Sequence, residues 1–270
     1  MTLSVVIITH NEEANLGRTL ESVMPLMRDG KGEIIVVDSG STDRTVEIAK
    51  SFGAKVFVEE WKGYAAQKNS AIDKASGDWI LSLDADEEVG DVAREFILLV
   101  ISGSHDVLSH SAGFWFSRRN HFLGRWIRHG GFYHDDKLRM FKHGSGRFED
   151  RAVHEDVRLQ PGQHAYDARH YDLGGRLDII HHSYPTLTDY IDHMNRYSSL
   201  GAEMVVAKSN GKVRFSAINI VLRPLATFVY NYFFRLGFLD GREGLLLHLY
   251  HAVYVSWKYA KAWELSRKQS

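Results

Sequence analysis

The 270-residue chain is expected to adopt an α/β fold: a largely parallel sheet in the first ninety residues, a mixed sheet after it, and a helical, aromatic C-terminal extension. Three observations predict this. Apolar β-branched runs recur at short intervals, with helix-like stretches between them. Several of these runs end in a polar residue. The pattern then changes after residue 91 and turns apolar and aromatic from about residue 213.

The elements follow in order. Residues 3–9 (LSVVIIT) read as a strand buried on both faces, the parallel-sheet kind. Asn11-Glu12-Glu13 makes an acidic opening to a helix carrying Leu16, Leu20, Val23 and Met24. Residues 33–38 (EIIVVD) are a second strand, and Ser39-Gly40-Ser41-Thr42-Asp43 is a turn and cap before a short helix. Strands are expected at 55–59 and 79–84 (WILSLD), with an Ala-rich helix over 64–75. This alternation predicts βαβ units. Beyond them lie a helix over 91–101, strands over 113–119 and 137–142, and a helix over 186–208.

The bulk numbers exclude several classes. A net charge of -1 offers no basic field for nucleic acid. The absence of cysteine removes disulfides, thiolate metal sites and Cys nucleophiles. The N-terminus lacks the charged and apolar regions of a signal peptide, and with 4 prolines no disordered linker is expected.

The chemistry-bearing residues fall where an open α/β sheet binds ligands, outside the carboxyl ends of its strands: His10, Asp38 and Asp84. Asp84-Ala85-Asp86 sets two carboxylates one residue apart, a pattern that suits a hard divalent cation bridging two phosphates. A solvated acidic turn, extended by Glu87 and Glu88, is the plainer reading. Asp38 can accept hydrogen bonds from a nucleoside; alternatively it caps the next helix, unless Asp43 or Ser41 does so. No G-x-G-x-x-G follows the first strand and no P-loop motif occurs, which disfavours a dinucleotide cofactor and a P-loop enzyme.

The segments SVVIITHNEEANL, IIVVDSGSTDRT and GYAAQKNSAIDKASGDWILSLDADE together resemble the family 2 glycosyltransferases, which have the GT-A fold, a Rossmann-like nucleotide-binding sandwich. The resemblance implies an inverting transfer from a UDP-sugar with Mg²⁺ or Mn²⁺. It implies that Thr9, His10, Asn11 and Glu12 flank the nucleotide, that Asp38 contacts the base, and that Lys68 and Asn69 lie near the donor. Asp84 then contacts ribose or sugar, and Asp86 is the principal metal ligand. Among Glu149, Asp150, Glu155 and Asp156, it points to Glu155 as the general base, with Asp150 second. His181, in His181-His182-Ser183-Tyr184, is implied as a further metal ligand; a histidine hydrogen-bonded at a strand end is the bland alternative.

RFEDRAVHEDV, IIHHSY, GFLDGREG and the tail resemble a bacterial branch that includes lipopolysaccharide core β-1,4-glucosyltransferases. That likeness implies UDP-glucose as donor, a lipopolysaccharide inner-core or related anionic glycolipid as acceptor, and work at the cytoplasmic, inner face of a bacterial inner membrane. The basic, aromatic loop with Arg119, Arg125, Trp126 and Arg128 suits such an acceptor. The domains expected are a catalytic domain over 1–210 (nucleotide-sugar half 1–90, acceptor half 91–210) and a helical extension over 211–270.

In the tail, Arg223, Pro224 and Arg235 interrupt the apolar stretch 215–238, and His248 and His251 interrupt 245–257. Neither is a transmembrane run. Helices in peripheral membrane contact through 213–265 are expected, against the alternatives of a packed helical subdomain or a dimer. Other function readings are a family 2 transferase of capsule or O-antigen synthesis, a metal-dependent nucleotidyltransferase, and a non-catalytic scaffold. The acidic Asn11-Glu12-Glu13 disfavours nucleotidyl transfer, and intact Asp38, Asp84, Asp86 and Glu155 disfavour a scaffold.

Overall fold

Alternation along β1 (Leu3–Thr9) decides the two faces of the central sheet. Leu3, Val5 and Ile7 join one apolar cluster and Val6 joins another, as the period of two requires. Such a strand needs cover on both sides. It has that cover in the computed structural model of the chain, which describes residues 1–103, 110–149, 156–167 and 176–268. The chain divides into two units, Met1–Arg118 with Asp135–His181, and Arg119–His134 with His182–Ser270.

In the first unit, β2 (Gly32–Asp38), β3 (Lys55–Val58) and β4 (Trp79–Asp84) run parallel to β1 in the order β3-β2-β1-β4. These are the four strands expected from the apolar runs. α1 (Leu16–Val23), α2 (Thr45–Ser51) and α4 (Asp91–Ser102) supply Leu16, Leu20, Ala49 and Phe96 to the Leu3 face. α3 (Tyr64–Asp73) covers the Val6 face with Ala65, Ala71 and Ile72. The acidic residues lie ahead of α1 rather than in its first turn: Leu16 N donates to Glu12 O at 2.9 Å.

Past β4 the sheet becomes mixed. β8 (Asp135–Lys142) is antiparallel to β4, and β6 (Gly113–Phe122) is antiparallel to β8. β12 (Asp178–Tyr184) pairs antiparallel with the short β5 (Glu87–Val89). β9 (Gly146–Phe148) and β10 (Val157–Leu159) form their own pair, and β11 (Ala165–Asp167) lies parallel to β6.

One glycine fixes how closely the chain crosses β1. A Cβ at Gly77 would stand 2.7 Å from Ser4 N and 2.8 Å from Leu3 C, while Gly77 N donates to Ser4 Oγ at 2.8 Å. Backbone cannot give way there, so Gly77→Ala is expected to destabilise by about 1–3 kcal/mol. Thermal unfolding reads this, and an unchanged midpoint would disprove the close approach.

In the second unit, His121 and Phe122 of β6 pair with β7 (Arg125–Trp126) through Leu123-Gly124, whose φ values of 51° and 81° are those a two-residue hairpin demands. α5 (Leu187–Lys208) opens on a capping box formed by Thr186 and Asp189. α7 (Gly241–Lys268) packs on it through Ala202, Val206 and Ala262, and Lys261 Nζ donates to Asn195 O at 2.7 Å. Between them, α6 (Arg223–Val229) continues at both ends into π-helical turns, Ile218–Leu222 and Tyr230–Phe234.

Candidate functional site

Parallel register sets Thr9 beside Asp38 at the carboxyl ends of β1 and β2, and Thr9 Oγ1 donates to Asp38 Oδ2 at 2.8 Å. The same carboxylate accepts from Gly40 N (2.9 Å), Ser41 N (2.8 Å) and Ser41 Oγ (2.5 Å). A carboxylate has about four lone-pair sites, and Asp38, 1% exposed, accepts four bonds, one from β1 and three from its own loop. Through these bonds Asp38 holds the turn that follows β2.

That turn is stitched to the loop after β1. Asn11 takes the left-handed conformation at φ 55°, which Asn tolerates. Its N–H donates to Ser41 Oγ (2.8 Å) and its Oδ1 accepts from Thr42 N (2.8 Å). Glu12 N donates to Thr45 Oγ1 (2.7 Å), and Glu13 N donates to Asp43 Oδ2 (3.1 Å). Asp43, rather than Asp38, serves the start of α2, accepting from Thr45 N at 3.0 Å. His10 is exposed at the rim of this platform.

Asp84 ends β4, Glu87 begins β5, and Ala85-Asp86 is the tight turn between them. Thr19 Oγ1 of α1 anchors the turn by donating to Ala85 O at 2.7 Å. Asp84 is held by two cations, Lys68 Nζ at 2.7 Å and Arg139 Nη2 at 2.7 Å. Burial opposes its ionisation, but Arg139 and Lys68 hold the carboxyl well below the usual range. Glu87, fully buried, accepts from Asp84 N (3.0 Å), binds Arg139, and meets Arg118 Nη1 at 3.3 Å. Arg118 Nε donates in turn to Asp135 Oδ2 at 2.9 Å. Burial works against the charge of Arg139, yet Asp84 and Glu87 raise its pKa above the ordinary guanidinium value.

Asp86 stands apart from that chain. Its Oδ2 lies 3.3 Å from His181 Nε2, where the β5–β12 pairing brings His181 opposite Glu87. Burial opposes ionisation here too, and the His181 imidazole nevertheless lowers the Asp86 pKa. Glu12 shares the neighbourhood. Burial raises its carboxyl, the hydrogen bond from Asn15 lowers it, and the charges of Asp86, Asp43 and Asp84 add to the rise. Three further carboxylates within electrostatic reach of Glu12 make an environment that a cation relieves. Among the described residues no group of three His, Cys, Asp or Glu side chains is gathered closely enough to hold a metal by itself.

Lys68 and Asn69, adjacent on α3, both address Phe148. Lys68 Nζ lies over its ring, 5.1 Å from the centroid. Asn69 Nδ2 donates to Phe148 O (2.9 Å) and its Oδ1 accepts from Phe148 N (3.0 Å). The Asn69 amide thus anchors β9, while Lys68 reaches Asp84. Asp150 and Glu155 lie outside the described residues.

In the second unit the basic, aromatic loop forms a stack. The guanidiniums of Arg119 and Arg128 lie over the Trp126 ring, 4.7 Å and 4.1 Å from its centroid. Arg125 turns instead to α7, 3.6 Å from Glu243 Oε2. Asp240 sets the loop backbone, accepting from Arg128 N (3.1 Å) and His129 N (2.8 Å).

Sequence reading passed over Glu87 and Arg139 as parts of the site. Arg139 carried a usable signal, a full charge inside the otherwise apolar run Leu138-Arg139-Met140-Phe141. Such a charge, 4% exposed, must find partners.

Comparison with known proteins agrees with this architecture. The model of the family described as glycosyl transferase family 2 matches residues 4–153. The chain is similar to the lipopolysaccharide core biosynthesis glycosyltransferase LpsC of Rhizobium meliloti, 29% identical over 98% of this chain and 93% of that one. It is 30% identical to an uncharacterized glycosyltransferase of Rickettsia typhi over 98% of this chain and 88% of that one. Its fold is like that of the mannosyltransferase PcManGT from Pyrobaculum calidifontis, solved with GDP-Man and Mn²⁺, at a TM-score of 0.55 and 16% identity, covering 96% and 86% of the two chains. A family match over more than half the sequence and full-length likeness to glycosyltransferases lead to one conclusion: the chain belongs to glycosyl transferase family 2 and is a nucleotide-sugar-dependent glycosyltransferase.

Proposed function

We propose that this enzyme takes glucose from UDP-glucose and moves it, with inversion at the anomeric carbon, to a lipopolysaccharide inner-core or related anionic glycolipid. The observation that carries the donor half is the Asp84–Asp86 turn with His181 beside it. The acceptor half is supported by likeness to a lipopolysaccharide core glycosyltransferase along 98% of this chain. This reading puts the work at the cytoplasmic face of a bacterial inner membrane.

The residues divide the labour. The platform of Thr9, His10, Asn11 and Glu12, with the turn shaped by Asp38, receives the nucleoside. Asp84, kept ionised by Lys68 and Arg139, accepts hydrogen bonds from ribose or sugar hydroxyls. Asp86 and His181 fit a divalent metal as one oxygen and one imidazole donor. Two protein ligands suffice for an ion that keeps waters and takes substrate phosphates as its other ligands. When bound, such an ion supplies charge neutralisation for the departing diphosphate. Glu155 removes the proton of the acceptor hydroxyl, with Asp150 the second candidate. Arg119 and Arg128, stacked on Trp126, present guanidiniums to phosphate or carboxylate groups of the acceptor.

Thermal unfolding with nucleotides tests the donor half. UDP at about 100 times its Kd is expected to stabilise the chain by roughly 2.7 kcal/mol, only with Mn²⁺ or Mg²⁺ present. EDTA or Asp86→Ala should abolish the effect. Stabilisation by GDP or CMP but not UDP overturns the donor, and a metal-dependent UDP effect unchanged in Asp86→Ala overturns the ligand.

A further inference from the structure

The second unit exposes what most proteins bury. Between residues 211 and 240 only Pro224, Gly237 and Asp240 are buried, although the stretch is dominated by large apolar side chains. Ile218, Val221, Leu222 and Leu225 fall at helical spacing i, i+3, i+4, i+7, and each is more than half exposed, as are Phe233 and Phe234. That spacing normally marks the face a helix turns to its core. Here the inward contacts are made by other residues: Ser256 Oγ of α7 donates to Ile220 O at 2.7 Å, and Arg223 stacks on Tyr259 with 5.0 Å to its centroid. An exposed apolar surface of this extent marks an interaction site.

Charge selects the partner. From Glu203 to Asp240 the chain carries no intervening acid and five cations, Lys208, Lys212, Arg214, Arg223 and Arg235. Asp240 itself is buried against His129, and Glu243 pairs with Arg125 at 3.6 Å. A second copy docking symmetrically would set this cationic patch against itself. An anionic bilayer satisfies both features, taking apolar side chains at the acyl boundary and cations among lipid phosphates. No helix among the described residues is long and apolar enough to cross a membrane, so the contact is with one leaflet.

We propose that the face formed by residues 215–239 docks on an anionic phospholipid surface, with Ile218, Leu222, Leu225, Phe233 and Phe234 entering the headgroup–acyl boundary. This sharpens the membrane location given under the proposed function and rests on it only for the identity of the membrane.

Flotation of the full chain with vesicles tests it, using phosphatidylcholine alone or mixed with phosphatidylglycerol, at low and high salt. Binding is expected only to the anionic vesicles and should weaken with salt. Leu225→Ser with Phe234→Ser should cut partitioning at least about tenfold, and Lys212→Glu with Arg214→Glu by a similar factor, since each cation near such a surface contributes about fivefold or more. UDP-dependent thermal stabilisation, measured in every variant, reports folding and the donor site separately. Equal binding to both vesicle types overturns the proposal, as does flotation unchanged by the apolar pair. A solution dimer that the apolar pair dissociates overturns it in favour of a second copy.

Discussion

Arg139→Met is expected to lower stability by about 3–5 kcal/mol at neutral pH, the cost of removing one partner from a buried ion pair. For a chain of this size that is on the order of a 10 °C fall in unfolding midpoint. Arg139 is 4% exposed and lies between Asp84 and Glu87, the latter fully buried. Methionine keeps much of the volume and removes the charge, which leaves two desolvated carboxylates with Lys68 and Arg118 as their remaining cations among the described residues. The pH dependence follows from the sign of the shift. In the native protein the Asp84 pKa is depressed. Its stabilising effect is therefore present above the unfolded carboxylate value near about 4 and is lost as pH falls through the folded value. Without Arg139, burial acts with less opposition and the Asp84 pKa rises. The gap between the two proteins should be widest near neutrality and narrow below about pH 5, where protonation relieves the unpaired carboxylate. Glu87→Gln combined with Arg139→Met should recover part of the loss, because removing both partners costs less than stranding one. A double variant as unstable as the single one would show that Arg139 acts through packing and not charge.

That network explains why the site was only partly legible. The strands carrying Thr9, Asp38 and Asp84 announce themselves, because a strand buried on both faces must be continuously apolar and its first polar residue marks where it leaves the sheet. β5, three residues long, offers no periodicity to read, and Glu87 looked like one more solvated acid beside Asp86. Its burial depends on β12, which starts about ninety residues later and pairs with it. Arg139 reaches Asp84 only because β8 inserts antiparallel beside β4, a long-range pairing no local pattern encodes. The residue types that engage Asp38, namely Thr9, Gly40 and Ser41, were visible. That they use all of its acceptor capacity is a matter of geometry. In the tail, composition marks residues 213–240 as apolar and basic but cannot say which face turns outward, since a buried helix and a docking helix share one periodicity.

Glu155→Gln should leave UDP- and metal-dependent stabilisation intact while lowering kcat by about a thousandfold, within the range a positioned general base contributes. Asp150→Asn should cost less than about tenfold on the same scale. The described neighbours on either side are held in place. Phe148, at the end of β9, is gripped by the Asn69 amide on both backbone atoms. Glu149 N donates to Asp156 O at 3.1 Å, extending the β9–β10 pairing, and Lys137 Nζ binds Asp156 at 3.0 Å. Glu149 and Asp156 are thereby fixed at the ends of a strand pair. Donor binding and turnover separate the two halves of the site. Under the proposed roles, Asp86→Ala is expected to lose both and Glu155→Gln turnover alone. If Asp150→Asn shows the thousandfold loss and Glu155→Gln does not, the base is Asp150, inside the stretch matched by the family. If neither does, with donor binding unimpaired, the proton leaves by another group and the assignment of this segment to catalysis is wrong.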